Sequence, residues 1–515
     1  MSIYLTTTGT VNLLSFGSVN LVTPAQTPVQ QVTFGRFITS SRSQSCFSRN
    51  VDVYMAGYYS GSSSIKNEAG SVLGSLRTTS STNSAFLTKF GEDGTYVFSR
   101  VLDSDSIGYS VVCDSNGNMY FLGQYSGTPV IYDGVTPIAT LPASTGGGTA
   151  FLIKFDPSGV LQYSRILDSS GSDDVAYSGA CDSVGNVYFS GFYKGTGVTV
   201  RGTTTLVTLP NSLVGNLTGY VCKLDSGGNF QFARIFDGND TDIVSFVFCD
   251  SADNFYTAGS IIGNSSIYNE SGSLIFTLPI PSSSFNSYGL LCKFNSSGVF
   301  QYARLIDGLF DNDFGACVTR DTLSGVYISG LYYYSATIKD QTGSSLGTLP
   351  DGVGNVGYVC KFDSVTGAFQ YAITVDDQSP SSGDFDYTIG VACDSKNNMY
   401  MCGLYNSAAS IRFVNSSSVT TLIKTLPFSS SGSLFMCKFD SLGTFQYARL
   451  ILGSNECTSV RCDASDNVYV SGTYVSGSSL NIIDENGSVI GTIPASTTTN
   501  SSFLIKFTSD GNYNP

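Results

Sequence analysis

Phe151–Asp168, FLIKFDPSGVLQYSRILD, is a stretch that this chain writes repeatedly, and its reading decides the fold. Apolar residues flank an Asp/Ser/Gly cluster, so the segment reads as two strands joined by a turn, with Lys154 on the first and Arg165 on the second. Close copies are YVCKLDSGGNFQFARIFD from Tyr220, LLCKFNSSGVFQYARLID from Leu290 and FMCKFDSLGTFQYARL from Phe435.

Working outward, seven lysines mark the first strand of the hairpin: Lys89, Lys154, Lys223, Lys293, Lys361, Lys438 and Lys506, separated by 65, 69, 70, 68, 77 and 68 residues. A second marker is an apolar strand ending in glycine, as in CDSVGNVYFSG (181–191), which recurs at Gly57, Gly123, Gly191, Gly259, Gly330, Gly403 and Gly472. Each unit supplies a Cys-bearing strand, the N-x-Y-x-x-G strand, the Lys strand and a Q-Y-A-R strand. A further hairpin such as IYNESGSLIFTLP (267–279) falls between the second and third. A length of 515 residues alone suggests several domains, but an internal period overrides that prior. The expected fold is all-β: a seven-bladed β-propeller of four-stranded antiparallel blades.

The two ends of the sequence predict how the ring closes. The last unit carries its third strand, FLIKF (503–507), and a turn, while QVTFGRFI (31–38) matches VFQYARLI (299–306) and puts Arg36 at the position of Arg304. The N-terminal strand 31–38 should then complete the last blade and remove an open edge. On this reading the propeller spans 31–515. Residues 1–30, which carry no charged side chain, form an arm that packs on the propeller or assembles with a neighbour.

With these residues in view, the run FLIKFDPSGVLQYSRILDSSGSDDVAYSGACDSVGNVYFSG (151–191) resembles the SBBP-type seven-bladed β-propeller repeats, over about residues 31–511. The resemblance implies the architecture and no common reaction. Three units depart from the pattern: Ile373 stands where Arg is expected, CVTRDTLSGVY (317–327) is longer, and the first unit reads CFSRNVDVY (46–54).

Composition narrows the function. A net charge of −14 argues against nucleic acid as a partner. Only five of the 39 acidic residues are Glu, and Asp is the residue of turns. No histidine is present, which removes the usual general base and the commonest metal ligand. No apolar run of ~18 residues predicts a membrane span, and the first basic residue, Arg36, lies too far in for a classical secretory leader. Eight N-x-S/T sequons (Asn216, Asn239, Asn264, Asn269, Asn295, Asn415, Asn486, Asn500) follow largely from composition.

Thirteen cysteines fall mostly into two repeat positions: Cys46, Cys113, Cys181, Cys249, Cys317, Cys393 and Cys462 on the first strand, and Cys222, Cys292, Cys360 and Cys437 before the marker lysine. Only Cys402 and Cys457 lie outside the pattern. Strands two apart are too distant for systematic disulfides, so the thiols are expected as small buried hydrophobes, made in a reducing compartment.

Lysine and arginine recur 11 residues apart (Lys89/Arg100, Lys154/Arg165, Lys223/Arg234, Lys293/Arg304, Lys438/Arg449), and Asp174, Asp242 and Asp386 each stand seven before a blade cysteine. Catalysis needs one unique constellation, and charges repeated around a ring are expected to hold blades and loops together. The Asp-rich connecting loops offer oxygens that Ca²⁺ takes, with Asp168, Asp173, Asp237, Asp240, Asp311 and Asp313 as candidates, although Asx-turn chemistry is the favoured reading.

The expected function is a non-enzymatic scaffold within a larger assembly, with no catalytic or cofactor-binding residues, contacting other proteins through its faces and the N-terminal arm. The composition is compatible with a virus particle. Two alternatives stand beside it. One is a glycan-binding propeller using the T-L-P hairpin ends and the aromatic runs LYYY (331–334) and YYSG (58–61); the other is a carboxylate-based hydrolase or lyase on the 376–386 loop.

Overall fold

The computed structural model describes residues 2–7, 11–12, 38–40 and 52–513, apart from 68, 92, 172, 213–215, 282–286, 309–312, 353, 378–385, 455, 476–478 and 496–499. All regular structure among the described residues is β, in seven antiparallel sheets arranged as a ring, a seven-bladed β-propeller.

Blade three shows the plan. Its inner strand Val175–Cys181, second strand Val187–Tyr193, third strand Thr218–Leu224 and fourth strand Phe230–Gly238 follow one another in sequence and in the sheet. The second and third strands are buried along their whole length because neighbouring blades cover both faces. Their sequences are therefore nearly continuous apolar runs rather than alternating ones.

Six blades are six-stranded and blade one is seven-stranded, rather than four-stranded, because the extra hairpin is not spare. Blade three ends with Ser265–Asn269 and Leu274–Thr277, donated by the following repeat, and Arg234 pairs with Asn269. Each repeat thus reaches back to cover its predecessor. The T-L-P end of the hairpin is a packing device: Leu141, Leu209, Leu278, Leu349 and Leu426 are buried. The Tyr125 and Tyr193 hydroxyls donate to the carbonyls of Pro142 (2.7 Å) and Pro210 (2.8 Å).

The marker glycine has a steric cause. The inner strand bulges beside it, so a Cβ on Gly191, Gly330 or Gly403 would lie 1.9, 1.8 or 1.8 Å from the carbonyl oxygen of Val175, Phe314 or Tyr387. No rotamer relieves that overlap, since the obstacle is backbone.

Ring closure uses the N-terminus, but a different segment from the one expected. Ser2–Thr7 pairs antiparallel with Asn500–Phe507 (Ser2 with Ile505, Tyr4 with Phe503) and on its other side with Ser63–Asn67. Residues 31–37, with Arg36 and Phe34, lie outside the described residues; Ile38–Ser40 pairs instead with the second strand of blade one, as does Val11–Asn12. The boundary between a 1–30 arm and a 31–515 propeller therefore moves, because the described parts of 1–30 are blade strands. Ile3 takes the register position of Arg304, which is why a search keyed on arginine passes it over.

Blade five departs from the expected cysteine position. Arg320, opposite Val326, occupies the position that Cys113 holds opposite Met119, and Cys317 lies three residues earlier, opposite Ser329. Cys46 lies outside the described residues.

Candidate functional site

Strand direction alternates, so the turn between strands one and two and the turn between strands three and four emerge on the same face of each blade. The recurrent cations work there. Lys154 on the third strand of blade two donates from Nζ to the carbonyl of Ser226 in the three–four turn of blade three (2.8 Å). Lys89, Lys293, Lys361 and Lys438 reach Pro157 (3.0 Å), Ser364 (2.7 Å), Ser441 (2.7 Å) and Ser509 (2.6 Å) in the same way, and Lys223 reaches Ser296 at 3.3 Å. Lys506 lies over the Tyr469 ring within its own blade.

The arginines clamp the same turns. Nε of Arg100, Arg165, Arg234, Arg304 and Arg449 donates to the carbonyl of Gly159 (2.9 Å), Gly228 (2.7 Å), Gly298 (2.7 Å), Gly367 (2.6 Å) and Gly511 (2.6 Å), always on the next blade. Burial lowers the pKa of Arg100, Arg234 and Arg304, yet guanidinium stays charged in proteins. A charge held against carbonyl dipoles and over aromatic faces, such as Phe232 beneath Arg234 at 4.7 Å, fastens one blade to the next.

Three of the lysines are also anchored within their own blade. The Asp after the blade cysteine accepts, at Oδ1, the backbone N–H groups two and four residues on, as Asp182 does from Val184 (3.2 Å) and Asn186 (2.8 Å). In blade three its Oδ2 pairs with the marker lysine, Asp182 with Lys223 at 3.1 Å, as does Asp321, after Arg320, with Lys361 at 3.2 Å, while Asp250 pairs with Arg320 at 3.4 Å. In blade one Asp52 does this for Lys89 at 2.9 Å.

A further tie was not legible in the sequence. Asp253, Asn397 and Asp466 adopt left-handed backbone (φ 60, 67 and 63°) in the one–two turns. Each side chain accepts hydrogen bonds from the preceding blade's turn: Asp253 from Ser183 N (2.8 Å), Asn397 from Thr322 N (2.7 Å) and Asp466 from Ser395 N (2.8 Å). The only signal was Asp or Asn at the position where Gly185 supplies the same φ.

On the opposite face the carboxylates seven before the blade cysteine hold loops. Asp174 accepts from Ser169 N (2.7 Å), Ser169 Oγ (3.0 Å) and Lys194 N (3.1 Å). Burial pushes its pKa up to about 7. Asp242 is pushed well above the usual range by the same cause, and Asp386 accepts from Asn406 N. With Arg320 at the cysteine position, Asp313 falls into this set: it accepts from Gly308 N and from Tyr333 N.

The described Ca²⁺ candidates are engaged in separate hydrogen-bond sets. The Asp168 carboxylate is occupied by Arg201 (2.7 Å), Thr149 Oγ1 (2.7 Å) and Thr145 Oγ1 (2.9 Å). Asp237 accepts from Thr218 Oγ1, Asp240 from the neighbouring Thr241 N, and Asp173 is exposed. Asp311 and most of the 376–386 loop lie outside the described residues. Among the described residues no three His, Cys, Asp or Glu side chains group to hold a metal ion.

The twelve described cysteines are thiols, nine of them buried, and burial raises the pKa of Cys222, Cys249, Cys292 and Cys360, which suppresses the reactive thiolate. Along the axis, Arg461 of blade seven lies 5.3 Å from the Phe246 ring of blade four, so side chains from opposite sides of the ring meet there. Among the described residues no helix is long and apolar enough to cross a membrane. Against known proteins, no family model matches the chain and no curated protein is detectably similar to it.

Proposed function

We propose that this protein is a non-enzymatic interaction scaffold that works within a larger assembly and makes its contacts through the face formed by the one–two and three–four turns. One observation carries this reading. The recurrent cations on that face are spent on holding blades together, while the turn tips expose apolar side chains in five successive blades. These are Val160, Val184, Val299, Leu323, Val365 and Leu442, each more than half exposed. Apolar side chains displayed around an otherwise satisfied face suit protein contact better than chemistry on a polar substrate.

The glycan alternative is weakened at the hairpin ends, whose Leu is core and whose Pro carbonyls are taken by tyrosine. Tyr58, Tyr59 and Tyr332 are buried as well. The rings that favour it are Tyr333 and Tyr334, packed edge to face at 4.5 Å on the rim, with Tyr334 41% exposed.

The test is the native mass of the full chain by mass photometry, beside a variant carrying Val184→Asp, Leu323→Asp and Leu442→Asp. A higher-order species that the variant loses while keeping its fold supports the scaffold reading. A wild-type chain that stays monomeric, or an assembly unaffected by the three charges, overturns it.

A further inference from the structure

Cys402 and Cys457 are the two cysteines without a place in the repeat, and folding puts them in contact. Cys402 lies on the second strand of blade six and Cys457 on the inner strand of blade seven; both are fully buried, with Sγ atoms 2.9 Å apart. At the corresponding positions the first seam has Ala56 and Gly108, the fourth Ala258 and Gly315, and the fifth Ser329 and Thr388. A thiol on both sides occurs at this seam alone among the described ones, and this seam borders the blade that the N-terminal strand completes.

We propose that Cys402 and Cys457 form an oxidation-dependent disulfide that latches the closing blade to its neighbour. The bonded separation is about 2.04 Å, so each sulfur has to move by only about half an ångström. With a peroxide as oxidant, one thiol loses its proton and attacks a peroxide oxygen, the O–O bond breaks, and a sulfenic acid and one water form. The second thiol then attacks the sulfenic sulfur, its proton leaves with the hydroxyl as a second water, and the S–S bond closes. Two thiols are oxidised by two electrons and one hydrogen peroxide is reduced. The bond closes a loop with its ends 55 residues apart and prevents blade seven from separating at this seam.

Purified full-length protein is treated with hydrogen peroxide, the remaining thiols are alkylated in denaturant, and peptides are mapped by mass spectrometry beside a melting curve. The expected result is a linked Cys402–Cys457 peptide, two hydrogens lighter than its parts, and a Tm raised by about 5 °C that a dithiol reductant reverses. Cys402→Ala and Cys457→Ala place alanine where the repeat already uses Ala258 and Ala176, so both variants should fold. Each should lose the linked peptide and the Tm rise. Full alkylation of both residues after oxidation, cross-links formed equally at other cysteines, or a linked peptide with unchanged Tm would each overturn the latch.

Discussion

Two adjacent seams solve one packing problem with different chemistry. Between blades four and five, Arg304 lies over Gly367, donating from Nε to its carbonyl, from Nη2 to Thr366 O (2.9 Å) and from Nη1 to Ala303 O (2.6 Å) and Gln341 Oε1 (2.6 Å). Between blades five and six, Ile373 stands at that position, and Phe413, its partner on the hairpin strand, stacks on Tyr371 and fills the space over Gly443. The turn glycine is covered either way. The position accepts either arginine or an isoleucine–phenylalanine pair as the cover over a seam glycine, so closing the seam does not require a charge there.

The largest effect should come from removing the cation. Arg304→Ala leaves several buried carbonyls without a donor and should cost about 3 kcal/mol, read as a lower midpoint in urea. Loss of under half a kcal/mol would mean that water replaces the guanidinium freely. Next comes the turn itself. Gly367 has φ +69° and an added Cβ would lie 2.1 Å from Arg304 Nη2, so Gly367→Ala should cost about 2 kcal/mol by the same measurement.

The comparison is sharpened by transplanting one seam into the other. Asp340 faces Arg304 as Phe413 faces Ile373. Arg304→Ile with Asp340→Phe should therefore recover about 1 kcal/mol relative to Arg304→Ile alone. Absence of any coupling would show that the aromatic filler of the fifth seam depends on more than its strand partner.

The smallest effect distinguishes the two faces by pH. The clamps on the turn face are cation-to-carbonyl contacts, whereas the opposite face holds Asp174, raised by burial from 3.8 to about 7. A raised carboxyl pKa means that the folded chain binds the proton more tightly than the unfolded one. Its contribution is therefore favourable at low pH and declines as pH rises from the unfolded value through the folded one. Stability should fall by about 1 kcal/mol between pH 6 and 7 from this group, and Asp174→Asn should flatten that slope in pH-dependent urea melts. An unchanged slope in the variant would assign the dependence to other groups.

How far the sequence could be read depended on whether a feature repeats. The blade count, the role of the Lys and Arg hairpin and the strands of each unit were legible because seven copies of one solution leave a period. The closing strand was not, since Ile3 carries none of the marker residues, and neither was the blade-five equivalent of Cys113, because Cys317, three residues earlier, draws the alignment away from Arg320. The Asp253, Asn397 and Asp466 ties were equally silent, as nothing in one turn's sequence names the turn it touches on the next blade.

By itself the sequence determined that this chain is a sevenfold β repeat closed with help from its N-terminus, because local patterning of apolar residues, glycines and turn formers follows from backbone sterics. Tertiary structure alone decided that blades have six or seven strands, that the hairpin covers the preceding blade, and that Cys402 meets Cys457. Those outcomes depend on which edges and surfaces are left unpaired once the ring forms, and no stretch of sequence read singly contains that information.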